Sequence, residues 1–560
     1  MSMPMDLGRT LILTIFLPLA GAILMWPLSV LGRSYVRWGA LLIAVLTLVL
    51  AVVILSAYPA HGEVGDGFCV VDVPWLGVHS EWDVRFSVGL DGLGLWLFGL
   101  SALLLVTCVL VSWEAIDRNE PLFYAMLLLL ECGCLGVFAA RDIILFYVFF
   151  EFTLIPLFFL IGVWGSEQRQ LAARKFFLFT LVGSVLTFLS LLAIVLWDYR
   201  HTAELTFSIP ELTRSLQVNP LRPMGWQIAV FLGLFAGFAV KVPLFPLHTW
   251  LPLAHVQAPT AGSVFLAAIL LKIGTYGFVR FNIAMLPEAT VACMPLMLWL
   301  AVAGILYGAF VALVQRDVKR LVAYSSISHL GYCMLGLFAL NRLGVQGGTL
   351  QMINHGISTG ALFALVGMLY ERYHTREIDK MSGLASRLPW LTFFMVVFTL
   401  SSIGLPGLNG FASEVMVLLG MFQLAWGENH RMSPHQLQVI SVLAVSGVAI
   451  GAWYMLWMVQ RVFYGPLREP ATGVKARDVR DLSGREICAL APLAVLVVWI
   501  GVWPGFFLDR MAPTLNRITA GARRSLDDDD GQGRATLAGC GDAGVRWETE
   551  WDSSGGRPGT

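Results

Sequence analysis

Gln227-Ile-Ala-Val-Phe-Leu-Gly-Leu-Phe-Ala-Gly-Phe-Ala-Val240 runs straight into Lys241-Val-Pro243-Leu-Phe-Pro246, so an ammonium group ends an apolar run with two helix breakers directly behind it. The chain has only six lysines, and a second, Lys272, lies in the next apolar run, 263–276. Glu151 interrupts a third run, 143–163. An ionised side chain at the bilayer centre costs roughly 2.5–3.5 kcal/mol on insertion scales, and such residues mark ion pathways and proton relays. Charges of both signs inside apolar runs therefore point to ion movement, with proton transfer the leading reading.

Outside these runs the composition agrees. Hydrophobic residues make up 57% of the 560 and charged residues 13%, with a mean hydropathy of +0.74. Runs of about 20 apolar residues, each able to cross about 30 Å of hydrocarbon, recur along the chain. Nineteen tryptophans suit many interfacial helix ends. The formal net charge is zero, so no basic face points to nucleic acid. The eight cysteines are scattered through apolar segments without the spacing of an iron–sulfur or haem site, and they read as small buried apolar residues. The first run, 11–30, reads as a retained helix and not a signal peptide.

The expected architecture is an all-α membrane protein of fourteen spans, centred near residues 20, 46, 101, 130, 152, 186, 235, 271, 303, 330, 361, 405, 450 and 498. Two spans carry internal breakers: Pro243 and Pro246 in one, then Gly404, Pro406, Gly407 and Gly410 in the other. Discontinuous helices mark ion sites in transporters, because unwound backbone at membrane depth must line a cavity or be covered by protein. Residues 1–120 read as three spans and an external loop. Residues 121–283 and 284–462 read as five-span units with the break in the fourth span of each, near 243 and near 406. An odd number of spans per unit inverts the second copy, so two inverted repeats are expected. Residues 463–510 read as a cytoplasmic loop and the last span, and 511–560 as a polar, disordered tail. Basic residues concentrate in the odd-numbered connections, as in Arg169, Arg174 and Lys175 or Arg316, Lys319 and Arg320. The positive-inside rule then puts both termini outside the cytoplasm.

Glu131, Glu151, Lys241, Lys272, His329, His355 and Glu414 fall inside or at the mouths of apolar spans, and His248 and His255 lie in the polar interruption after Lys241. A lysine ordinarily titrates near 10.4, so it must be brought towards neutrality to pass protons on. Burial works in that direction and a neighbouring carboxylate works against it, so a Glu–Lys pair whose separation changes is a proton switch. Plainer readings stand beside this one. Lysines near span ends snorkel, Glu151 and Glu414 are candidates for interhelical or interfacial hydrogen bonding, Glu131 is equally a static partner, and lone histidines in apolar faces are commonly satisfied core residues.

Four segments carry a family resemblance. Lys241-Val-Pro-Leu-Phe-Pro-Leu-His-Thr-Trp-Leu-Pro-Leu-Ala-His-Val-Gln-Ala-Pro-Thr-Ala-Gly-Ser-Val264, continuing to Leu271-Lys-Ile-Gly-Thr-Tyr-Gly277, resembles the signature of the antiporter-like membrane subunits of proton-translocating NADH:quinone oxidoreductase (complex I). So does Gln315-Arg-Asp-Val-Lys-Arg-Leu-Val-Ala-Tyr-Ser-Ser-Ile-Ser-His-Leu-Gly-Tyr332. The stretches Phe149-Phe-Glu-Phe-Thr-Leu-Ile-Pro156 and Ile403-Gly-Leu-Pro-Gly-Leu-Asn-Gly-Phe-Ala-Ser-Glu414 look like the fifth helix and the broken twelfth helix of the M-type branch. Glu414 stands where the L and N types usually place a lysine. The resemblance implies a translocase subunit in an energy-transducing membrane, such as the bacterial inner membrane. It implies Glu151 as the partner of Lys241, a central relay of Lys272 with His329, and Glu414 as the terminal carrier. His355, Glu131, His248 and His255 are secondary candidates. It further implies L-type and N-type neighbours within the lipid bilayer. NADH, FMN, iron–sulfur clusters and quinone would be held in other subunits, with no cofactor, metal or nucleic acid on this chain. The rival readings are a cation/proton antiporter subunit of Mrp type and a scaffold whose buried charges only specify assembly.

Overall fold

The computed structural model describes residues 6–60, 67–77, 84–427, 432–470 and 479–538. Two helices, α1 (Leu7–Leu31) and α2 (Arg33–Ala57), precede a hairpin of β1 (Phe68–Leu76) and β2 (Val84–Leu90), antiparallel with Val71 opposite Val88 and Asp72 opposite Ser87. There follow α3 (Gly94–Ala115), α4 (Glu120–Ala139), α5 (Ile143–Phe152), α6 (Leu154–Trp164), α7 (Arg169–Thr202), α8 (Ile209–Val218) and α9 (Met224–Lys241). The break after Lys241 leads to the short α10 (Leu251–Gln257). The next span is built of α11 (Thr260–Phe265), a π-helical turn Leu266–Leu270, α12 (Leu271–Gly277) and a second π-helical turn Phe278–Ile283. Then come α13 (Pro287–Leu313), α14 (Val318–Phe338), α15 (Arg342–Tyr373), α16 (Pro389–Ser402), α17 (Asn409–Trp426), α18 (Pro434–Phe463), α19 (Gly484–Val502) and α20 (Gly505–Ala538).

Among the described residues thirteen helices are long and apolar enough to cross a bilayer. The remaining expected span, near 405, is the one split into α16 and α17 around Ile403–Leu408. Helices predominate because a span in hydrocarbon must satisfy every backbone N–H and C=O internally. Polar caps fix where the spans begin. Asp142 accepts from the N–H groups of Ile144 and Leu145 at 2.8 and 3.0 Å and so starts the helix that carries Glu151. Burial pushes the Asp142 carboxyl up to about 6 despite those donors. Asp317 and Asn341 cap α14 and α15, and Ser483 with Glu486 forms a capping box on α19.

Burial sorts the spans into a centre and a rim. The apolar windows of residues 260–283 and of α15 are wholly buried, whereas those of α2, α18 and α19 are buried for only about a third. Lys272, His329 and His355 thus sit on spans that protein surrounds, whereas the spans carrying Lys241 and Glu151 are buried for only about half. Gly356 permits a close approach between the two central spans: a Cβ there would lie 2.9 Å from the Ala268 carbonyl. That contact lies beside His355.

One expectation is corrected. The segment from 511 does not begin a disordered tail: α20 continues to Ala538. Met511, Leu515, Ile518, Ala522 and Leu526 recur at helical spacing and are buried against α13, α15 and the second π-turn. A stripe of one apolar residue per turn is enough to hold a helix on a protein surface while its average composition stays polar. Residues 539–560 lie outside the described residues.

Candidate functional site

The buried polar groups assemble from the middle of the molecule outward. Lys272 is fully buried between the two π-turns. In the first turn the Leu271 N–H reaches back to the Leu266 carbonyl, one residue further than an α-turn allows. The Lys272 ammonium donates to the nearby Ala267 carbonyl at 2.6 Å. Its second contact is His355 Nδ1 on α15, at 2.5 Å. π-Turns inside α-helices frequently mark functional sites, and here one faces the lysine.

His355 continues the line. Its ring centroid lies 5.7 Å from that of His329 on α14. His329 in turn touches Ser402 through Nε2 at 3.1 Å and lies 3.5 Å from Glu414 Oε1 through Nδ1. Glu414 also accepts from Gln351 Nε2 at 3.4 Å. A cavity of about 10 Å³ lies among His329, His355, Asn354, Ser358, Ser401 and Glu414, room for about one water. Hydroxyls and amides line it: Asn354 donates to the Asn409 carbonyl, Ser401 to the Asn409 side chain, and Ser413 bonds Gln351. The break before α17 shapes this end. Gly404 has φ +72, and a Cβ on it would lie 2.6 Å from Glu414 Oε2.

The other candidates fall into separate places. Lys241, 5% exposed at the end of α9, holds its ammonium 4.6 Å from the centroid of the Phe150 ring. Among the ion pairs of the described residues none joins it to Glu151, though the Glu151 charge acts on it across the gap. Glu151 is half-buried. Glu131 accepts from Ser101 at 2.7 Å through one oxygen while its other oxygen is unpartnered. His248 packs its ring against Phe245 and Tyr307. His255 stacks on Phe363 with both ring nitrogens buried and unpartnered. No group of three or more potential metal ligands occurs among the described residues.

The resemblance implies a central relay of Lys272 with His329, with His355 a secondary candidate. The structure puts His355 between them, because Gly356 lets α15 close on the π-turn at that level. The sequence reading also passed over Gln351, Asn354, Ser358 and Thr359. With His355 these are spaced as one face of a helix, and a polar stripe on a span buried on every side was the available signal.

Comparison with known proteins identifies the family. Residues 140–430 match the family model described as NADH:quinone oxidoreductase/Mrp antiporter, TM. The chain is 38% identical over 517 residues to NADH-quinone oxidoreductase subunit M of Rhodobacter capsulatus, covering 89% of this chain and 94% of the relative. A chain of respiratory complex I from Thermus thermophilus superposes with a TM-score of 0.78 at 34% identity, covering 91% of this chain and 99% of that one. A chain of the Mrp complex from Dietzia sp. DQ12-45-1b shares the fold, with a TM-score of 0.73 at 20% identity over 96% of this chain and 58% of that one. The chain therefore belongs to the NADH:quinone oxidoreductase/Mrp antiporter family of membrane proteins.

Proposed function

We propose that this chain is a proton-translocating membrane subunit of an NADH:quinone oxidoreductase, of the M type. It would take energy from electron transfer in other subunits and move protons along its own buried groups. The observation that carries the reading is the buried row Lys272–His355–His329–Glu414. Each member exchanges protons, and each next group lies within or near contact. A scaffold role would need charges paired for stability, whereas Lys272 meets a carbonyl and an imidazole and no carboxylate.

In the proposed cycle, Glu151 moves towards or away from Lys241. Close approach holds the Lys241 proton, and withdrawal leaves the ammonium over the Phe150 ring in a medium that disfavours charge. The Lys241 proton then passes towards Lys272, and His355 and His329 carry it to Glu414. NADH, FMN, iron–sulfur clusters and quinone belong on this reading to partner subunits, and L-type and N-type subunits are among the membrane neighbours. We further take 121–283 and 284–462 as inverted repeats, each with its broken helix, and both termini as non-cytoplasmic in a bacterial inner membrane. Glu414, together with the names of the 36–38% identical relatives, favours this reading over an Mrp-type antiporter.

The test is NADH-driven proton pumping in membranes carrying the assembled complex with Lys241→Ala or Glu151→Gln. Loss of pumping with normal assembly is expected. Undiminished pumping in both variants contradicts the switch.

A further inference from the structure

A cleft of about 480 Å³ opens between α2, α3, α15, α19 and the start of α20. Its walls are apolar. They carry one hydroxyl among the described residues, Ser56, which donates to the Val53 carbonyl at 2.8 Å. The Trp96 indole N–H is likewise occupied, by the Phe507 carbonyl at 3.3 Å. The cleft runs from Leu48 to Ser56 along α2 and from Pro492 to Ile500 along α19, about 12 Å in each case. Val52 and Val495 on its rim are exposed, on spans that face away from the centre of the molecule. Its deep wall includes Ile353 and Ile357 of α15, two residues either side of His355.

One end of the cleft is charged. Trp499, Phe506 and Phe507 line the end where α19 gives way to α20, and such aromatic residues gather at the level of lipid headgroups. The Arg510 guanidinium stacks on the Phe506 ring, 4.0 Å from its centroid. Its Nη1 donates to the Phe506 carbonyl at 2.8 Å, while its Nε is buried without a partner. Among the described residues no carboxylate pairs with Arg510, although Asp509 precedes it and is exposed. Nε and Nη2 form the edge through which arginine holds a phosphate by two parallel bonds. Size limits what can lie beside that edge. A helix is about 10–12 Å across, so 12 Å of one needs at least about twice the volume of the cleft. An alkyl chain is narrow enough, and burying it against apolar walls requires no polar partner.

We propose that the cleft is a phospholipid site, in which one acyl chain fills the apolar space and the phosphate lies on Arg510. The site stands apart from the row between Lys272 and Glu414 and goes beyond the translocation reading. The chain enters between Val52 and Val495, and its end meets Ile353 and Ile357, which are 3% and 1% exposed. Bulk lipid does not reach those two residues, so contact with them distinguishes a seated chain from the surrounding bilayer.

The experiment uses membranes carrying the assembled complex and a phospholipid with a photoreactive diazirine at the end of one acyl chain. A diacylglycerol with the same chain and no phosphate is the comparison. After irradiation, labelled peptides are identified by mass spectrometry. The phospholipid should label the segment holding Ile353 and Ile357 several-fold more than the diacylglycerol does. Arg510→Gln should lower phospholipid labelling there to the diacylglycerol level, and Val52→Trp, which blocks the rim, should abolish both. Equal labelling by the two lipids in the wild type would overturn the proposal, because the phosphate would then contribute nothing. Absence of labelling at Ile353 and Ile357 would also overturn it, showing the cleft covered by a partner subunit. Undiminished phospholipid labelling in Arg510→Gln would do the same. The comparison of the two lipids on the wild type decides the matter even should a variant fail to assemble.

Discussion

His355 sits between Lys272 and His329, and its place illustrates how a side chain acquires a role from packing. Alone on α15 it is a histidine in a buried face. Once Gly356 admits the neighbouring span, His355 becomes the contact of the Lys272 ammonium at 2.5 Å. Replacing it with leucine keeps the volume and removes the acceptor. His355→Leu should lower the pumping rate of the assembled complex by at least about tenfold, in line with the loss of a positioned acid–base group. Pumping measured in inverted vesicles checks this. A second residue-scale expectation concerns Asp91, between β2 and α3 and outside the spans. Burial by itself would raise its carboxyl, but the Arg280 guanidinium 2.6 Å away and the Gly94 N–H hold it below its ordinary range. A depressed carboxyl contributes stability that is present above its unfolded value of about 3.9 and is lost as pH falls through the folded value. Thermal unfolding in detergent should therefore show stability falling below about pH 4 for the wild type. Asp91→Asn should lack that part of the slope and be less stable at pH 7 by about 3 kcal/mol, because Arg280 is left buried without its partner.

At the scale of elements, both breaks and the irregular span between them serve to place side chains. Gly404 shows how tightly. Its φ of +72 suits glycine, and the missing Cβ is the space that Glu414 occupies. Gly404→Ala should cost about 1–2 kcal/mol in backbone strain and displace Glu414 as well. Pumping should fall several-fold while assembly, followed by native gel electrophoresis, persists; wild-type pumping would show that Glu414 has room to adjust. The breaks themselves were legible, since Pro243, Pro246 and the glycines of 404–410 announce them. The π-turns around Lys272 were not. No residue type encodes a π-turn, and the first of them packs beside α15, far away in sequence. Helix α20 was misjudged for a related reason: a single apolar stripe, Met511 to Leu526, is diluted by the polar residues around it.

On the scale of the whole molecule, composition and run length gave the all-helical membrane class and the number of spans, because hydrocarbon leaves a chain few alternatives. The same reasoning identified the charged residues inside spans, since such residues are too costly to be common. It did not give their connections. Which histidine meets Lys272 depends on crossing points between helices far apart in sequence, and these are set by glycines and small residues whose partners sequence alone does not name. Lys241, with the half-buried Glu151 acting on it across a gap, lies apart from the line from Lys272 to Glu414, and function on this account requires that the two work in series. Lys272 is the residue through which any such series must pass. The most direct measurement is the ratio of protons translocated to NADH oxidised in membranes carrying Lys272→Met, with assembly verified. The account predicts that the ratio falls well below the wild-type value; a wild-type ratio would contradict it.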